Sequence, residues 1–560
     1  MDNYALADNF SLLAKLIDIH GDDSFKAKSY SSAAFTLEKL PVQVAALPLE
    51  KMFGLKGIGQ AIGKKIIEQI ETGRLKALDE YIINTPPGII EMLKIKGIGP
   101  KKICTVWKEL GVESVGELLY ACEENRLLSY KGFGAKTQQN IKEGIEFYLA
   151  SQGSYLFSQI EEYANAFHSL LQKDLKKFQF YPTGSFRRND LVIHKLEWVT
   201  DASINELEKY FEGKEYTVEV EENTLHARGP ENVLLQFITS PAALIFTRLF
   251  ENNCSGDFFT AWNEKFGWDE HASYPSEEAI FEKHTLQFLP PFLRDVPSSI
   301  DLAAENNIPD VIQPGDVCAI IHSHSNWSDG SNTLEEMAIG AIAKGLEYLV
   351  ISDHSQSAFY AGGLFPEKIK EQHKLVDELN KKYAPFKIFK SIESDILNDG
   401  KLDYNNEVLA SFDLVITSVH SNLKMTQEKA MMRLLNAIAN PYTTILGHMT
   451  GRLLLSRNGY PIDHKVIIDA CAKHNVVIEI NAHPRRLDMD YHFIPYALEK
   501  GVLLSIDPDA HSVGEYAHVR SGVMAAQKGG LTKEHNLSSF SLPQFESFLT
   551  SQHEKRSVVN

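Results

Sequence analysis

Residues 317–324 read VCAIIHSH, an apolar run that ends in His322-Ser323-His324. On an extended strand the side-chain period is two, so both imidazoles leave one face while Ser323 leaves the other. Asp329 follows in NWSDG. The same pattern recurs along the second half of the chain. LEYLVISDH (346–354) ends in Asp353 and His354, FKIFKSIESDI (386–396) presents Glu393, and FDLVITSVHS (412–421) presents His420. TTILGHM (443–449) carries His448, VVIEINAH (476–483) ends in Asn481 and His483, and VLLSIDPDAH (502–511) ends in Asp509 and His511. Helical stretches such as 333–345, 427–439 and 463–474 separate the runs. Seven strands with intervening crossovers imply a parallel α/β barrel, which gathers side chains from its C-terminal strand ends into one site.

Fourteen of the 20 histidines fall after residue 310, but their positions say more than their number. His373, His464, His474, His492 and His518 sit within helices or loops and read as ordinary core or surface residues. The strand-end set mixes imidazoles with carboxylates, a combination that suits manganese, iron or zinc better than calcium, which prefers oxygen cages. Nine such groups exceed what one ion needs. Two or three divalent ions are implied.

At 560 residues the chain is too long for one ordinary core, and several domains are expected. A formal net charge of −18 argues against wholesale coating of nucleic acid and leaves room only for a regional basic surface. The five cysteines are scattered without zinc-knuckle or disulfide spacing, and the opening MDNYALADNF has no secretory pattern. With no apolar run near membrane-spanning length, a cytoplasmic protein without a membrane partner is expected.

The front of the chain carries a repeat: LKGIGQAIGKKI (55–66), IKGIGPKKI (95–103) and YKGFGAKTQQNI (130–141). Each is a lysine, a Gly-apolar-Gly turn and a helical stretch. Gly57 and Gly59, Gly97 and Gly99, and Gly132 and Gly134 let backbone N–H groups come close to a phosphate, and each following helix adds its positive N-terminus. Lys56, Lys64, Lys65, Lys96, Lys101, Lys102, Lys131 and Lys136 surround these turns. The stretches resemble helix-hairpin-helix motifs, which hold DNA backbone without reading sequence. SFKAKSYSSAAFTLEKLP (24–41) is similar to the opening helices of the small lyase-type domain of family X DNA polymerases.

That resemblance continues from 150 to about 300. Gly184-Ser185-Phe186-Arg187-Arg188 matches the turn that precedes an Asp-x-Asp strand in family X polymerases. Such carboxylates hold two cations about 4 Å apart to stabilise the attacking and leaving oxygens together. Here the Asp-x-Asp slot falls on Lys195-Leu196-Glu197, and Leu234 falls where the third Asp is expected. A lysine repels the cation it replaces, and leucine offers no lone pair. A palm that folds without transferring nucleotides is expected, the alternative being an active polymerase whose diverged strands are misaligned, with Asp190 or Asp201 reached by a register shift. Residues 276–295 are similar to the family's thumb.

The histidine-rich half resembles the polymerase and histidinol phosphatase (PHP) domain. By matching motifs, the resemblance assigns metal-ligand roles to His322, His324, Asp329, His354, Glu393, His420, His448, Asp509 and His511, and a phosphate-facing role to Arg452. The expected architecture is multidomain α+β and α/β: a lyase-type helical domain (1–80), a fingers-like helical domain (81–150), a degenerate palm (151–245), a thumb (246–309) and a distorted seven-stranded PHP barrel (310–560). The order resembles bacterial and archaeal family X polymerases with a fused PHP domain. What the resemblance implies is metal-assisted phosphoester hydrolysis with water as nucleophile, directed as a 3′-5′ exonuclease to DNA ends in repair. A phosphatase for a small phosphorylated metabolite and a non-catalytic DNA-binding protein stand as alternatives.

Overall fold

The computed structural model describes residues 3–40, 43–55, 57–150 and 153–559. The chain forms two compact units, Met1–Tyr148 and Leu149–Asn560.

The first unit is helical. Its opening helices, Asn3–His20 and Ser24–Lys39, pack along Leu6, Phe10, Leu13 and Ile17, with the Phe10 and Tyr30 rings stacked at 5.7 Å. The second of them starts where the Asp23 carboxylate accepts from the backbone N–H groups of Phe25 and Lys26. The boundary expected at residue 80 runs through the inside of this unit. The His20 ring packs edgewise on Tyr81 at 5.1 Å and on Trp107 at 5.0 Å, and bonds Thr85 at 2.8 Å. Ring contacts thus cross residue 80 within this unit.

The second unit begins with a five-stranded sheet in the order Phe180–Thr183, Leu196–Thr200, Leu234–Thr239, Thr224–Arg228, Thr217–Glu221. Only Leu196–Thr200 and Leu234–Thr239 run parallel. Alternation sorts their side chains: Leu196, Trp198, Leu235 and Phe237 face the helix Phe157–Asp174, while Lys195, Glu197 and Gln236 lie on the other face. Four short helices from Ile245 to Ala304 follow around Phe250, Phe258, Trp262 and Phe281. Arg294 is fully buried among those rings and pairs with Glu277 at 2.6 Å, which is what allows a charge there.

The remainder forms a nearly closed barrel of seven parallel strands in chain order: Ala319–Ile320, Tyr348–Ile351, Lys387–Asp395, Leu414–Ser418, Ile445–Leu446, Val477–Asn481 and Leu504–Asp507. Their continuous apolar runs reflect burial on both faces. The first and last strands meet through a single bridge, Ser323 with Ala510. Inward positions change character along each strand. At the N-terminal end Tyr348, Val350, Phe389, Leu414, Ile416, Ile445 and Val477 form an apolar floor, sealed by Phe545 of the C-terminal helix Leu542–Val559. Four residues on, the same alternation brings His354, Glu393, His420 and Asn481 to the opposite end, and Asp509 follows just past the last strand.

Candidate functional site

The barrel's C-terminal end gathers the nine expected residues. Ligand-capable atoms of His324, Asp329, His354 and His511 lie within 4.8 Å of one another, as do those of His322, His324 and Asp509, and those of His354, Glu393 and His420. The groups share His324 and His354, so they form one cluster with three adjoining centres. His448 joins through its Nε2, 3.1 Å from Glu393 Oε1. Glu393 is the hub: its oxygens lie 2.9 Å from His354, 3.1 Å from His420 and 3.5 Å from His322.

All nine are buried or nearly so, and several lone-pair atoms have no hydrogen bond: His322 Nε2, His324 Nδ1, Asp329 Oδ2 and Glu393 Oε2. Buried polar atoms are ordinarily satisfied, so converging unsatisfied ones signal an absent partner. A divalent cation fits. Imidazole nitrogens and carboxylate oxygens on the page are donors for manganese, iron or zinc.

The electrostatics show how much charge the cluster holds. Burial alone would raise the Glu393 carboxyl, but His420, His322 and His354 outweigh it and hold Glu393 well below the usual carboxylate range. Burial opposes a charge on His322, yet Asp509, Glu479 and Glu393 raise it well above the ordinary imidazole value. His324 goes the other way, lowered to about 4 by burial and by its neighbours His511 and His354. Opposing shifts within a few ångströms mean that carboxylates and imidazoles here depend on one another or on cations for their charge.

Two carboxylates outside the expected set, Glu479 and Asp395, aim imidazoles. Glu479 Oε1 lies 2.5 Å from His322 Nδ1, and its other oxygen accepts from the His448 backbone N–H at 2.6 Å. Asp395 bonds His420 Nδ1, and Asp353 accepts from Ser325 and Gln372. Glu479 lies two residues before Asn481 on the same strand, so strand alternation already pointed inward. Because such partners fix the ligand's tautomer and direction, Glu479→Gln should weaken metal binding about 10- to 100-fold. Titrating the purified protein with manganese checks this.

Arg452 does not face the cluster as a free cation. Its Nε donates to Arg486 O at 3.0 Å, one terminal nitrogen pairs with Asp490 at 2.7 Å, and the other donates to Leu487 O. With every guanidinium nitrogen engaged, it braces the 486–490 segment, and the phosphate-facing role expected of it has no support in this geometry. Among the histidines read as ordinary, His464 stacks on Phe493 at 4.1 Å and His373 packs edgewise on Phe412 at 4.9 Å.

In the palm-like sheet, Lys195 Nζ lies 2.8 Å from Glu197 Oε1 and 2.8 Å from Gln236 Oε1. Register places Gln236, rather than Leu234, directly across from Glu197. Leu234 pairs with Arg228 on the other neighbouring strand. The sequence reading missed this because the strand starts at Leu234 itself, and register between strands 39 residues apart is set by tertiary pairing. The second oxygen of Glu197 fills the turn at Gly184, where a Cβ would overlap it and where φ is +66°. Ser185 N–H points to that same oxygen at 3.4 Å.

Both arginines of the turn are also occupied. Arg187 pairs with Glu277 at 2.6 Å, and Arg188 pairs with Asp190 at 2.8 Å. Asp190 in turn contacts Lys528, and Asp201 caps the backbone N–H of Gln179 at 2.7 Å. These engagements occupy both aspartates.

The three glycine turns of the first unit share one backbone. Gly57, Gly97 and Gly132 are left-handed, at φ +84°, +98° and +93°. The apolar residue between each glycine pair, Ile58, Ile98 and Phe133, is buried and anchors its turn. A Cβ on Gly59, Gly99 or Gly134 would meet nothing within 4 Å, which leaves the helix starts at Gln60, Pro100 and Ala135 open to close approach. Lys64, Lys96, Lys101, Lys131 and Lys136 are exposed beside them, while Lys56 lies outside the described residues.

Comparisons with known proteins agree with this layout. Family models match at residues 1–75 (helix-hairpin-helix domain), 89–146 (SAM-like helix-hairpin-helix tandem) and 321–483 (PHP domain). The chain is 30% identical to the DNA polymerase/3'-5' exonuclease PolX of Bacillus subtilis, over 96% of this chain and 97% of that protein. Its barrel half is 27% identical to a protein of Thermoanaerobacter sp. (strain X514) named "Probable phosphatase", over 38% of this chain and 86% of that one.

Proposed function

Because the chain belongs to the family X DNA polymerases that carry a C-terminal PHP domain, we propose that it hydrolyses phosphodiesters at DNA 3′ ends, as a 3′-5′ exonuclease in DNA repair, with a polymerase module that has lost nucleotidyl transfer. The observation that carries this reading is the convergence of all nine expected ligands at one end of the barrel. Bound there, two or three divalent cations, manganese foremost with zinc or iron as alternatives, would supply an activated water and neutralise charge at phosphorus.

The chain's own residues do the rest. His322, His324, Asp329, His354, Glu393, His420, His448, Asp509 and His511 hold the ions, and Glu479 and Asp395 keep two of the imidazoles aimed. Gly57, Gly59, Gly97, Gly99, Gly132 and Gly134 hold DNA backbone without sequence preference. The name of the Bacillus subtilis relative supports the exonuclease direction, and so does the pairing of hairpins with a PHP barrel in one chain.

The polymerase side of the proposal rests on charge. Glu197 is the one carboxylate left in the Asp-x-Asp slot, it is paired with Lys195, and it occupies the turn that would cradle a phosphate. Gly184, Ser185, Arg187 and Arg188 are then a scaffold. No helix among the described residues is long and apolar enough to cross a membrane, and we place the protein's work in the cytoplasm. The similarity of the barrel to proteins named as phosphatases favours a competing reading, hydrolysis of a small phosphorylated metabolite.

One assay separates these readings. A primer–template labelled at the primer's 5′ end, incubated with the full chain, manganese and all four deoxynucleotides, should shorten and never lengthen, and a chelator should stop the shortening. Any template-directed extension sinks the loss of transfer. Failure to shorten DNA, alongside metal-dependent hydrolysis of small phosphomonoesters, favours the metabolite reading.

A further inference from the structure

We propose that Phe359 is a stacking platform for an unpaired nucleobase next to the phosphodiester held at the metal cluster; the assignment rests on the DNA-end reading above. Two observations meet here. His322 and His324 are 0% exposed and Glu393 is 1% exposed, so the cluster is sunk in the barrel rather than spread on its surface. For a phosphodiester to reach ligands this deeply buried, the terminal nucleotides would leave the base stack first. Unstacked bases need a new apolar face.

The loop that follows the ligand His354 provides one. Phe359 is 79% exposed and Phe365 is 52% exposed, at positions where the local backbone is tightly fixed. The loop base closes where Leu364 N–H donates to His354 O at 2.9 Å and Ser355 N–H donates to Glu393 O at 3.1 Å. Gln356 N–H donates to the Tyr404 hydroxyl at 3.1 Å, and Ser357 N–H to Asp403 at 2.7 Å. The Ser357 hydroxyl donates at 2.9 Å to Asp395, the same carboxylate that orients His420. Phe359 lies two residues on in this anchored loop, its N–H donating to Ser357 O at 3.0 Å, while its ring stands in solvent.

Across the same barrel end, the loop after Ile445–Leu446 shows Leu455, 39% exposed and left-handed at φ +60°. Leu454 N–H donates to Arg485 O at 2.6 Å and fixes that loop too. A bulky apolar residue held in this region is uncommon, and it adds a second apolar edge to the mouth. An aromatic face accepts any base, so the platform would tolerate all sequences, as an end-trimming nuclease requires.

The test compares the full chain with Phe359→Ala and Phe359→Trp, whose changes at an exposed ring leave the fold intact. Substrates are a single-stranded oligonucleotide and methyl p-nitrophenyl phosphate, a diester with no base. A 2-aminopurine near the 3′ end, read with calcium in place of manganese, reports stacking by its quenching. Phe359→Ala should raise KM for the oligonucleotide roughly tenfold or more, abolish the quenching and leave the small diester unchanged, with Phe359→Trp restoring both DNA readouts. Unchanged KM and quenching in Phe359→Ala overturn the platform, as does equal loss on both substrates, which would mark a structural role. If the unaltered protein hydrolyses the small diester but neither trims nor quenches the oligonucleotide, the DNA-end reading itself falls and takes this one with it.

Discussion

Glu393→Gln is expected to yield a folded protein whose metal-dependent phosphoesterase activity is lower by about a thousandfold or more. The reasoning starts from position. Glu393 lies at the seventh residue of the longest barrel strand, Lys387–Asp395, with Phe389 beneath it in the apolar floor. Its carboxylate reaches five of the six clustered histidines within 3.7 Å: His322, His324, His354, His420 and His448. Glutamine keeps the size and one acceptor oxygen but removes the negative charge on which these imidazoles and any bound cation depend. Backbone pairing of Glu393 with Ile416 is untouched, so the strand should hold. Hydrolysis rate, metal content after dialysis and thermal midpoint, measured on one preparation, check the prediction. Full activity with bound metal would refute the hub role, and gross loss of the thermal midpoint would mean that the carboxylate is needed for folding rather than chemistry.

Much of this site was visible in the sequence because two periodicities coincide there. Strands of period two put His322 with His324, and crossovers return each later strand parallel to the last, so ligands far apart in the chain end on one rim. Attention to ligand types at strand ends passed over Glu479 and Asp395, whose charges make sense only once His322 and His420 are seen opposite. Arg452 looked available because sequence shows a cation but not its acceptors, three of which are the backbone carbonyls or carboxylate of residues 486–490. In the palm, local pattern could not show the strand register, which sets Gln236 rather than Leu234 across from Glu197. Nor does any local pattern encode the ring contacts of His20 with Tyr81 and Trp107, which cross the expected boundary at 80.

Lys528→Met should cost on the order of 3–5 kcal/mol, the largest stability loss expected of any single change between the palm-like segment and the barrel. Lys528 closes the helix Val519–Lys528, and its side chain is 0% exposed. The ammonium lies 2.6 Å from Asp295, 3.0 Å from Asp190 and 2.7 Å from the Arg188 carbonyl, with the Tyr491 ring 5.1 Å away. Methionine fills the stem's volume but leaves two largely buried carboxylates with Arg188 and the Tyr491 hydroxyl as their remaining neighbours. The comparison that decides the matter lies on the same helix: Arg520 pairs with Glu161 but is 66% exposed, so Arg520→Ala should cost no more than about 1 kcal/mol. Thermal or urea unfolding of the two variants, side by side, reads the difference. Equal losses would show that burial adds nothing to the Lys528 contact. A large gap would mean that the buried Lys528 ammonium, with Asp190, Asp295 and the Arg188 carbonyl around it, fastens the barrel to the palm-like segment.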